Sequence, residues 1–577
     1  MKRFLLWGVA SVALLVAPAA WGQTAPASPL TRADRAGRCA ALAGWKDDGA
    51  RILSADYHTA GPAKLPPPNP MGPPPGPPPQ LPAHCEIVGI MQERTGIDGQ
   101  PYAIRFHLRL PASWNRRFLM QGGGGTNGEL GDALGRMGPA APALADGYAV
   151  LSQDSGHDNA VNAAPERGGA PAFGFDPQAR ADYGGTSLPL AVGAAKTLIG
   201  AFYAANPRYS YFAGCSKGGQ EGMMAAQRYP DLFDGIVAAA PGMSLPRAAM
   251  AEVWDTQSLA AIATKPVTPA SLAASFSDGD LALVTRAVLD ACDADDGLAD
   301  GLVGNYPACT PQKVVPVLKR SVCSGDKQAG CLSAAQVGAL IRVQEGIRNS
   351  KGEGLYAPFP WDAGWADMGW RVWKLGSADG RIPAINVMMG APALAMIFTT
   401  PPTLPAPGLN GSLDYALAFD FDRDAAKIHA AGGAFTRSAW SDIGARSPDI
   451  DAFARRGGRM IVPHGVSDPV FSVNDTLAWW REVDQRTGGK AAQNVRVFPV
   501  PGMAHCAGGP ATDGIDAFTS LVAWVEHGKA PDQLTGTAGP MSPWPGRTRP
   551  LCAYPTTVRY KGTGNVETAD SFTCQAP

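Results

Sequence analysis

The feature that most constrains the fold is a strand-like run, residues 209–213, that leads straight into the turn GCSKG at residues 214–218 and then into helix-forming residues. A strand that turns this sharply into a helix needs glycines beside the turn, because the central residue is held in a strained backbone conformation. The pattern G-x-S-x-G is weak alone. In this strand–turn–helix setting it predicts that the Ser216 hydroxyl projects at the carboxyl edge of a sheet as a nucleophile.

Strands alternate with helices on both sides of this turn. The strand-like runs lie at residues 118–120, 148–152, 209–213, 235–240, 459–463 and 495–500, and helical patterns lie at residues 188–203, 223–228 and 515–525. Such alternation predicts an α/β fold, in which a mostly parallel sheet is covered by helices on both faces.

Residues 246–450 interrupt this alternation, since they are rich in glycine, proline and tryptophan. We expect them to form a large inserted lid domain between two halves of the sheet-forming core, residues 86–245 and 451–577, of which the second ends in a disulfide-closed tail. Residues 23–85 are expected to be an N-terminal extension with a proline-rich surface loop. This loop is interpreted as a linker, with a docking segment as the alternative.

Residues 1–22 have the features of a signal peptide. Lys2 and Arg3 precede an apolar run, residues 4–17, that is too short to span a bilayer comfortably, and small residues before Gln23 fit a cleavage site. The sequence therefore predicts export to the periplasm or the cell exterior, with no membrane segment in the mature protein; an uncleaved anchor is the alternative. With 49 basic and 50 acidic residues, the chain lacks the basic surplus of a nucleic-acid binder.

The chain has ten cysteines, an even number without any C-x-x-C pair, which suits disulfides in an oxidising compartment. Sequence does not fix their connectivity, and pairing between neighbours along the chain is the simplest arrangement: Cys39–Cys85, Cys292–Cys309, Cys323–Cys331 and Cys552–Cys574. This leaves Cys215 and Cys506 either as a fifth disulfide or as free buried cysteines.

A serine nucleophile needs a base and an acid that orients the base. His505 follows a strand-like run and directly precedes a cysteine. A disulfide to the cysteine beside the serine would hold the two side chains close together. In chain order the acid is expected between the serine and the histidine, where Asp468 follows a strand end and Asp475 is the alternative. His157 is a weaker candidate for the base.

The negative charge that forms on an ester oxygen requires two backbone N–H donors. We expect one from Lys217, directly after the serine. The other is expected from Gly124 or Gly125 in a run of four glycines, where the absence of side chains lets the backbone approach a ligand. A phosphate-binding loop is the competing interpretation, but no G-K-[ST] follows the glycines.

An acidic segment, residues 290–302, lies within the expected insertion. Its aspartates are Asp290, Asp293, Asp295, Asp296 and Asp300, and it also holds two glycines. Unneutralised carboxylates this close repel each other, and oxygen ligands with glycines for tight turns suit Ca²⁺. The spacing is not that of an EF-hand. We expect a structural calcium ion here, with a solvated acidic loop as the alternative.

Taken together, these residues resemble the tannase and feruloyl esterase family over residues 39–577. The similarity rests on four motifs: GCSKGG at 214–219, HGxxD at 464–468, GMxHC at 502–506 and CDxxDGxxDG at 292–301. The cysteines beside the serine and the histidine are the family's most specific mark. The resemblance implies an α/β-hydrolase fold with a large lid, a Ser216–His505–Asp468 triad and a Cys215–Cys506 disulfide.

The resemblance also implies a calcium ion in the lid, held by the side chains of Asp293, Asp296 and Asp300 and by the carbonyls of Leu298 and Leu302, with no organic cofactor. The substrates that it implies are esters of aromatic acids, such as hydroxycinnamates and gallates, either as small molecules or linked to polysaccharide. Nothing in the sequence indicates an oligomeric state.

Terephthalate monoesters are the alternative substrate class. The branch of the family that acts on them holds the free carboxylate with a lid arginine, whereas residues 391–402 contain none. An apolar lid surface would suit an aromatic acyl group, and the candidates for it, which are equally typical of a core, are Trp370, Trp373, Met396 and Phe398. A metal-centred hydrolase that uses the acidic segment and a non-catalytic binding module on the same fold are further alternatives.

Overall fold

The computed structural model describes residues 31–47, 49–64, 78–136 and 138–576, together with Met1. The expected signal peptide, residues 1–22, lies outside the described residues apart from Met1, and so does most of the proline-rich loop. Among the described residues, no helix combines the length and the apolar character that crossing a bilayer requires.

The strands and helices of the described residues are numbered in chain order, and short 3₁₀ and π segments are left unnumbered. The strands are β1 (Lys46–Asp47), β2 (Ala50–His58), β3 (Gly61–Pro62), β4 (Gln80–Leu81), β5 (His84–Thr95), β6 (Pro101–Pro111), β7 (Arg117–Gln121), β8 (Ala149–Gln153), β9 (Tyr209–Cys215), β10 (Gly235–Ala239), β11 (Arg459–Gly465), β12 (Val495–Val500), β13 (Gly514–Ile515), β14 (Gln533–Thr537), β15 (Thr548–Cys552), β16 (Thr557–Tyr560) and β17 (Phe572–Gln575). The helices are α1 (Arg32–Leu42), α2 (Asn159–Asn162), α3 (Pro177–Ala181), α4 (Ser187–Tyr203), α5 (Lys217–Arg228), α6 (Leu245–Ala260), α7 (Pro269–Ala273), α8 (Asp278–Cys292), α9 (Pro311–Arg320), α10 (Ala334–Glu345), α11 (Met368–Lys374), α12 (Ala391–Met396), α13 (Gly408–Ala418), α14 (Ala439–Ile443), α15 (Asp451–Arg455), α16 (Val473–Arg486) and α17 (Ala517–His527).

The central sheet of the described chain has ten strands in the order β1-β2-β5-β6-β8-β7-β9-β10-β11-β12. The strands from β8 to β12 in this order run parallel to one another. On the other side, β1, β2, β5 and β6 extend the sheet in antiparallel pairs. The sheet is therefore mostly parallel, as the alternation of strands and helices predicts, and every predicted strand is present.

Both faces of the parallel strands are buried. Successive side chains of a strand point to opposite faces, so neighbouring residues enter different cores. One core contains Phe118, Phe212, Ile236 and Val462, and the other contains Leu119, Tyr211, Val237 and Ile461. Helices α4 and α5 cover the first core and α17 covers the second. This two-sided cover is the arrangement that parallel sheets require, and it confirms the predicted α/β class.

An insertion connects β10 to β11. Residues 240–458 contain helices α6 to α15, and this stretch of the described chain adds no strand to the central sheet. Helices α6 and α12 share an apolar cluster with Phe471, which follows β11. The interruption of the strand–helix alternation therefore corresponds to a helical region that packs against the loops after the strands.

The described cysteines form five disulfides and none is free. The pairs are Cys39–Cys85, Cys215–Cys506, Cys292–Cys309, Cys323–Cys331 and Cys552–Cys574. These are the predicted local pairs together with the fifth pair that they leave over. The bond between Cys552 and Cys574 joins β15 to β17 and closes the C-terminal tail. Five disulfides suit an oxidising compartment.

The antiparallel part of the sheet was not indicated by the sequence analysis. Strands β5 and β6 are long, with 12 and 11 residues, and β2, from the expected N-terminal extension, pairs with β5. Their packing depends on contacts between strands. Gly89 on β5 lies opposite Phe106 on β6, and any Cβ at Gly89 would overlap that ring. A fit of this kind between strands has no counterpart in a local residue pattern.

Candidate active site

Ser216 lies at the turn between β9 and α5, with φ 64° and ψ −120°. A non-glycine residue in such a region costs roughly 1–3 kcal/mol, so the surrounding packing must enforce it. A Cβ on Gly214 would lie 2.7 Å from the carbonyl carbon of Gly218, and a Cβ on Gly218 would lie 2.7 Å from the carbonyl oxygen of Gly123. Glycine at both places therefore lets the backbone close tightly enough to project the serine.

Three side chains meet at the carboxyl ends of parallel strands. Ser216 follows β9, Asp468 follows β11 and His505 follows β12. The Asp468 carboxylate can only accept, so His505 donates its Nδ1–H to Oδ2 at 2.8 Å. Nε2 of the histidine then accepts the Ser216 hydroxyl at 2.9 Å. The structure thus brings together the serine, histidine and aspartate that the sequence indicates, in one series of hydrogen bonds.

Asp468 is buried, and its second oxygen is also bonded. Oδ1 accepts the N–H groups of Val470 at 2.8 Å and Phe471 at 3.1 Å, and the His464 ring lies 3.4 Å from Oδ2. Burial alone would raise the pKa of Asp468. The electrostatic interaction with His505 and the hydrogen bonds with both histidines outweigh it and hold the pKa well below its usual range. The carboxylate therefore stays charged and keeps His505 in the tautomer whose Nε2 accepts.

The alternative acid and base that the sequence offers are engaged elsewhere. Asp475 accepts the hydroxyl of Ser244 at 2.7 Å and pairs with Arg446 at 2.8 Å. His157 is fully buried and stacks on Phe173 with ring centroids 3.8 Å apart. Burial lowers the pKa of His157 to about 3, so its ring is neutral. Neither residue belongs to the hydrogen-bonded series at the serine.

The Cys215–Cys506 disulfide joins the residue before the serine to the residue after the histidine. Its Cα atoms are 6.0 Å apart, and the two cysteines are separated by 291 positions in the chain. The histidine ring also makes T-shaped contacts with the rings of Trp373 and Phe471, at centroid distances of 5.5 and 5.2 Å. A covalent bond and two aromatic contacts therefore fix the imidazole against the serine hydroxyl.

Free N–H groups lie beside the serine. In the run of four glycines, the first two N–H groups bond to a carbonyl of β9 and to Glu221. The N–H groups of Gly124, Gly125 and Lys217 make no hydrogen bond to any described residue. Gly125 and Lys217 line the same cavity as Ser216. The donors that the sequence proposes are therefore available, and between the two glycines the geometry favours Gly125.

One buried carboxylate connects the glycine loop to Lys217, the two segments that supply the free N–H groups. Glu221 accepts the N–H of Gly123 at 3.1 Å, the ammonium of Lys217 at 2.9 Å and the amide of Asn127 at 3.0 Å. The Lys217 ammonium also lies 4.6 Å from the Tyr183 ring centroid, and burial lowers its pKa. The side chain of Lys217 thus anchors the glycine loop through Glu221. Their i, i+4 spacing on α5 was a signal that the sequence analysis did not use.

A cavity lies beside the serine. Its aromatic walls are Tyr183, Trp373, Phe398 and Phe471. Of the four apolar residues that the sequence suggests for this role, Trp373 and Phe398 line the cavity, whereas Trp370 and Met396 are buried outside it. No arginine of the described chain is among the lining residues.

Two further buried acids escaped the sequence analysis. Asp362 in the insertion accepts the Ser467 hydroxyl at 2.8 Å and the Gly502 N–H at 2.7 Å, and so connects the aspartate loop to the histidine loop. Burial raises the pKa of Asp362 to about 6. Its partners lie more than a hundred positions away in the chain, so the sequence gives no local signal for it.

The second acid is Glu252, which lines the cavity. It lies on the same face of α6 as Leu245 and Ala249, which also line the cavity.

The acidic segment packs against the C-terminal strands. Asp293 accepts backbone N–H groups of its own loop, the shortest at 2.9 Å, and Asp300 pairs with Arg549. Burial, together with the neighbouring carboxylates, raises the pKa of Asp296 to about 7. No three acidic, histidine or cysteine side chains in the described ranges converge as a metal centre. The oxygen donors suit a hard cation, but here they bond backbone amides and an arginine, so calcium stays a prediction.

The serine lies at a strand–turn–helix, and its aspartate and then its histidine follow later strands in that chain order. This arrangement places the protein among the α/β-hydrolases. Comparison with known proteins narrows this class. The family model described as tannase and feruloyl esterase matches residues 85–575. The chain belongs to the tannase and feruloyl esterase family and is a carboxylic ester hydrolase.

Individual relatives agree with this assignment. The chain is 46% identical over 522 residues to mono(2-hydroxyethyl) terephthalate hydrolase of Piscinibacter sakaiensis, a match that covers 86% of this chain and 85% of that protein. It is 25% identical over 498 residues to feruloyl esterase B of Aspergillus niger, covering 81% and 82%. The structure of feruloyl esterase B from Aspergillus oryzae matches with a TM-score of 0.74 at 22% identity, covering 94% of this chain and 100% of that one. The predicted family and fold are confirmed.

Replacing both cysteines of the Cys215–Cys506 pair by serine is expected to lower kcat at least tenfold, because the two loops lose their covalent link. The free energy of unfolding should fall by about 2–5 kcal/mol. Ester hydrolysis and denaturant unfolding measure the two effects. The control is the double serine variant of Cys323–Cys331, which closes only an eight-position loop and should leave kcat unchanged. An unaltered kcat in the first variant would show that packing alone holds the loops.

Proposed function

We propose that the protein hydrolyses carboxylic esters of aromatic acids, with Ser216 as the nucleophile, and that it acts after export from the cytoplasm. The observation that carries the proposal is the 2.9 Å hydrogen bond from Ser216 to His505 beside a cavity with aromatic walls. Such walls favour a flat acyl group through burial and ring contacts. The disulfides and the expected signal peptide support export.

In the first half of the reaction, Ser216 attacks the ester carbonyl while its proton passes to Nε2 of His505. The negative charge then on the carbonyl oxygen accepts hydrogen bonds from the N–H groups of Lys217 and Gly125. Asp468 stabilises the imidazolium without taking its proton. The tetrahedral intermediate collapses, the bond to the alcohol oxygen breaks, and the alcohol leaves with the proton from Nε2. The acyl group remains on the serine.

In the second half, a water molecule takes the place of the alcohol. His505 removes its proton as the water attacks the acyl-enzyme, and the same two N–H groups receive the second oxyanion. Collapse releases the carboxylic acid and returns the proton to Ser216. The reaction therefore consumes one ester and one water and needs no further reactant.

Terephthalate monoester is the second candidate substrate. It is favoured by the 46% identity to the enzyme named mono(2-hydroxyethyl) terephthalate hydrolase. The described cavity offers a free acyl carboxylate no arginine, which favours uncharged aromatic acyl groups such as ferulate or gallate. The two candidates share the serine mechanism and differ in the far end of the acyl group.

A panel of methyl ferulate, methyl gallate, terephthalate monoester and methyl butyrate tests this proposal. We expect kcat/KM for at least one aromatic ester to exceed that for methyl butyrate more than tenfold. Ser216→Ala should reduce kcat by about 10⁴-fold or more, with a thermal midpoint unchanged. Faster hydrolysis of methyl butyrate would contradict the aromatic assignment. Near-full activity of the alanine variant would remove Ser216 as the nucleophile and favour a metal-centred reaction, and no hydrolysis by the wild type would favour a binding module.

We also propose that the acidic segment binds one calcium ion, through side chains of Asp293, Asp296 and Asp300 and carbonyls of Leu298 and Leu302. Support comes from the resemblance and from the crowding of these carboxylates beside two glycines with positive φ, Gly297 and Gly301. When bound, the ion would neutralise the carboxylates and stabilise the contact between the insertion and the C-terminal strands. No step of the reaction requires it.

Removal of calcium is expected to lower the thermal midpoint by several degrees, because an ion that binds only the folded state stabilises it by mass action. The measurement compares wild type in EDTA and in millimolar calcium. Asp296→Asn should abolish the difference, whereas Asp290→Asn, an exposed position outside the proposed ligand set, should preserve it. Intrinsic kcat at low temperature should change less than about twofold. A midpoint that does not respond to calcium would contradict the proposal.

A further inference from the structure

Among the residues that the structure describes, Glu252 is a buried acid with an unpaired carboxyl oxygen. It lies on α6 and is only 6% exposed. Its Oε2 has no hydrogen-bond partner among the residues that the structure describes. Buried polar atoms in folded proteins are nearly always hydrogen-bonded. An unpaired carboxyl oxygen in a substrate cavity therefore marks a place where a ligand group is expected.

Helix α6 places Glu252 in the wall of the cavity. Helix α6 begins next to the nucleophile, since Gly242, just before it, donates its N–H to the Ser216 carbonyl at 3.0 Å. Leu245, Ala249 and Glu252 all line the cavity, and their i, i+4, i+7 spacing places them on one helical face. Glu252 lies two turns, roughly 10 Å, along the helix from Leu245. This rise separates Glu252 from the end of α6 that lies next to the serine.

The opposite wall is shaped around this carboxyl group. Gly390, which also lines the cavity, packs so close that a Cβ there would overlap Oε2 of Glu252. Gly390 has helical φ and ψ of −64° and −52°, so its backbone would accept alanine without strain. Glycine is therefore required at this position to leave space for the carboxyl group, and not to allow an unusual backbone conformation.

The carboxyl group is mostly protonated at neutral pH. Burial raises the pKa of Glu252 to about 8, with Asp255 and Asp468 adding to the rise and Lys374 opposing it. Lys374 is itself paired with Asp255, and the phenol of Tyr183, near Glu252, donates to the Gly125 carbonyl. A neutral carboxyl group both donates and accepts a hydrogen bond.

Among the described residues that line the cavity, none offers an unpaired cation to an anionic acyl group. Lys217 is the one basic residue among its described lining residues, and its ammonium is bound to Glu221. Transfer of a free carboxylate into such a site, without a cation, would be strongly unfavourable. A neutral hydroxyl group, in contrast, matches the donor and acceptor of a protonated carboxyl group.

We propose that Glu252 is a specificity-determining binding residue that hydrogen-bonds a hydroxyl group at the distal end of an aromatic acyl group, so that the site selects phenolic acyl groups over unsubstituted ones and over the carboxylate of a terephthalate monoester. This inference rests on the proposed function of the site, since it concerns the acyl group attached to Ser216. In this role Glu252 binds the acyl group of the substrate and takes no part in proton transfer.

The test uses three matched esters at pH 6.5: methyl 4-hydroxycinnamate, methyl cinnamate and mono(2-hydroxyethyl) terephthalate. For the wild type, kcat/KM for the hydroxylated ester should exceed that for methyl cinnamate by tenfold or more. Glu252→Leu should abolish this ratio and leave methyl cinnamate within about threefold. Glu252→Gln should keep most of the ratio, because an amide also donates and accepts. Gly390→Ala should reduce the ratio by displacing the carboxyl group, and Glu345→Gln, at an exposed position, is the control.

The results separate the inference from the function on which it rests. If the wild type hydrolyses methyl butyrate faster than every aromatic ester, the proposed function fails. If it hydrolyses aromatic esters but does not distinguish the hydroxylated from the unsubstituted one, the role of Glu252 is overturned. An equal loss of activity on all three esters in Glu252→Leu would show a purely structural role and also overturn it, as would a wild type that prefers the terephthalate ester.

The protonation state has a test that needs no substrate. The pKa of Glu252 is higher in the folded protein than in the unfolded chain, so its stabilising effect is present at low pH and is lost as pH rises through about 8. Wild type should therefore lose thermal stability relative to Glu252→Gln as the pH rises from about 5 to about 8 and no further above it, with Lys374, Asp255, Asp468 and Tyr183 the same in both proteins. A difference in midpoint that does not change with pH would show that Glu252 is charged throughout.

Discussion

The position of the serine against the histidine depends on one covalent constraint. The strands that carry them, β9 and β12, are separated in the sheet by β10 and β11. At about 4.8 Å between neighbouring strands, their ends are about 14 Å apart. The two loops must therefore arch towards each other over the edge of the sheet, and the Cys215–Cys506 bond holds the two arches together. The oxyanion donors and the aromatic contacts of the imidazole are useful only because this distance is fixed.

The parts of the site that sequence analysis predicted are those that local chemistry dictates. Ser216 is signalled by glycines that relieve a strained turn, and Asp468 and His505 follow strands in the order that an α/β-hydrolase requires. Pairing of neighbouring cysteines left a single remaining pair, and the structure contains it. Each of the sequence signals for the triad lies within about ten residues of the side chain that it concerns. The disulfide follows from the number of cysteines left after neighbouring ones are paired.

The parts that were not predicted arise from contacts between distant segments. The antiparallel strands β5 and β6 fit each other through a glycine beneath an aromatic ring. Glu221 and Glu252 lie on ordinary helices, and only the approach of the glycine loop and of Gly390 gives their carboxyl groups a role. The aromatic candidates show the same limit. Trp373 and Phe398 line the cavity while Trp370 and Met396 do not. Residue type alone does not show whether an aromatic side chain faces a cavity or is surrounded by protein.

Asp362 belongs to the insertion, yet its Oδ2 holds one residue of the aspartate loop and one of the histidine loop. The insertion is therefore hydrogen-bonded directly to the two loops that carry Asp468 and His505. A rigid-body movement of the insertion away from the sheet would displace the loops that align the imidazole. Opening of the insertion to exchange substrate and product would therefore break these two hydrogen bonds and disturb the position of the imidazole.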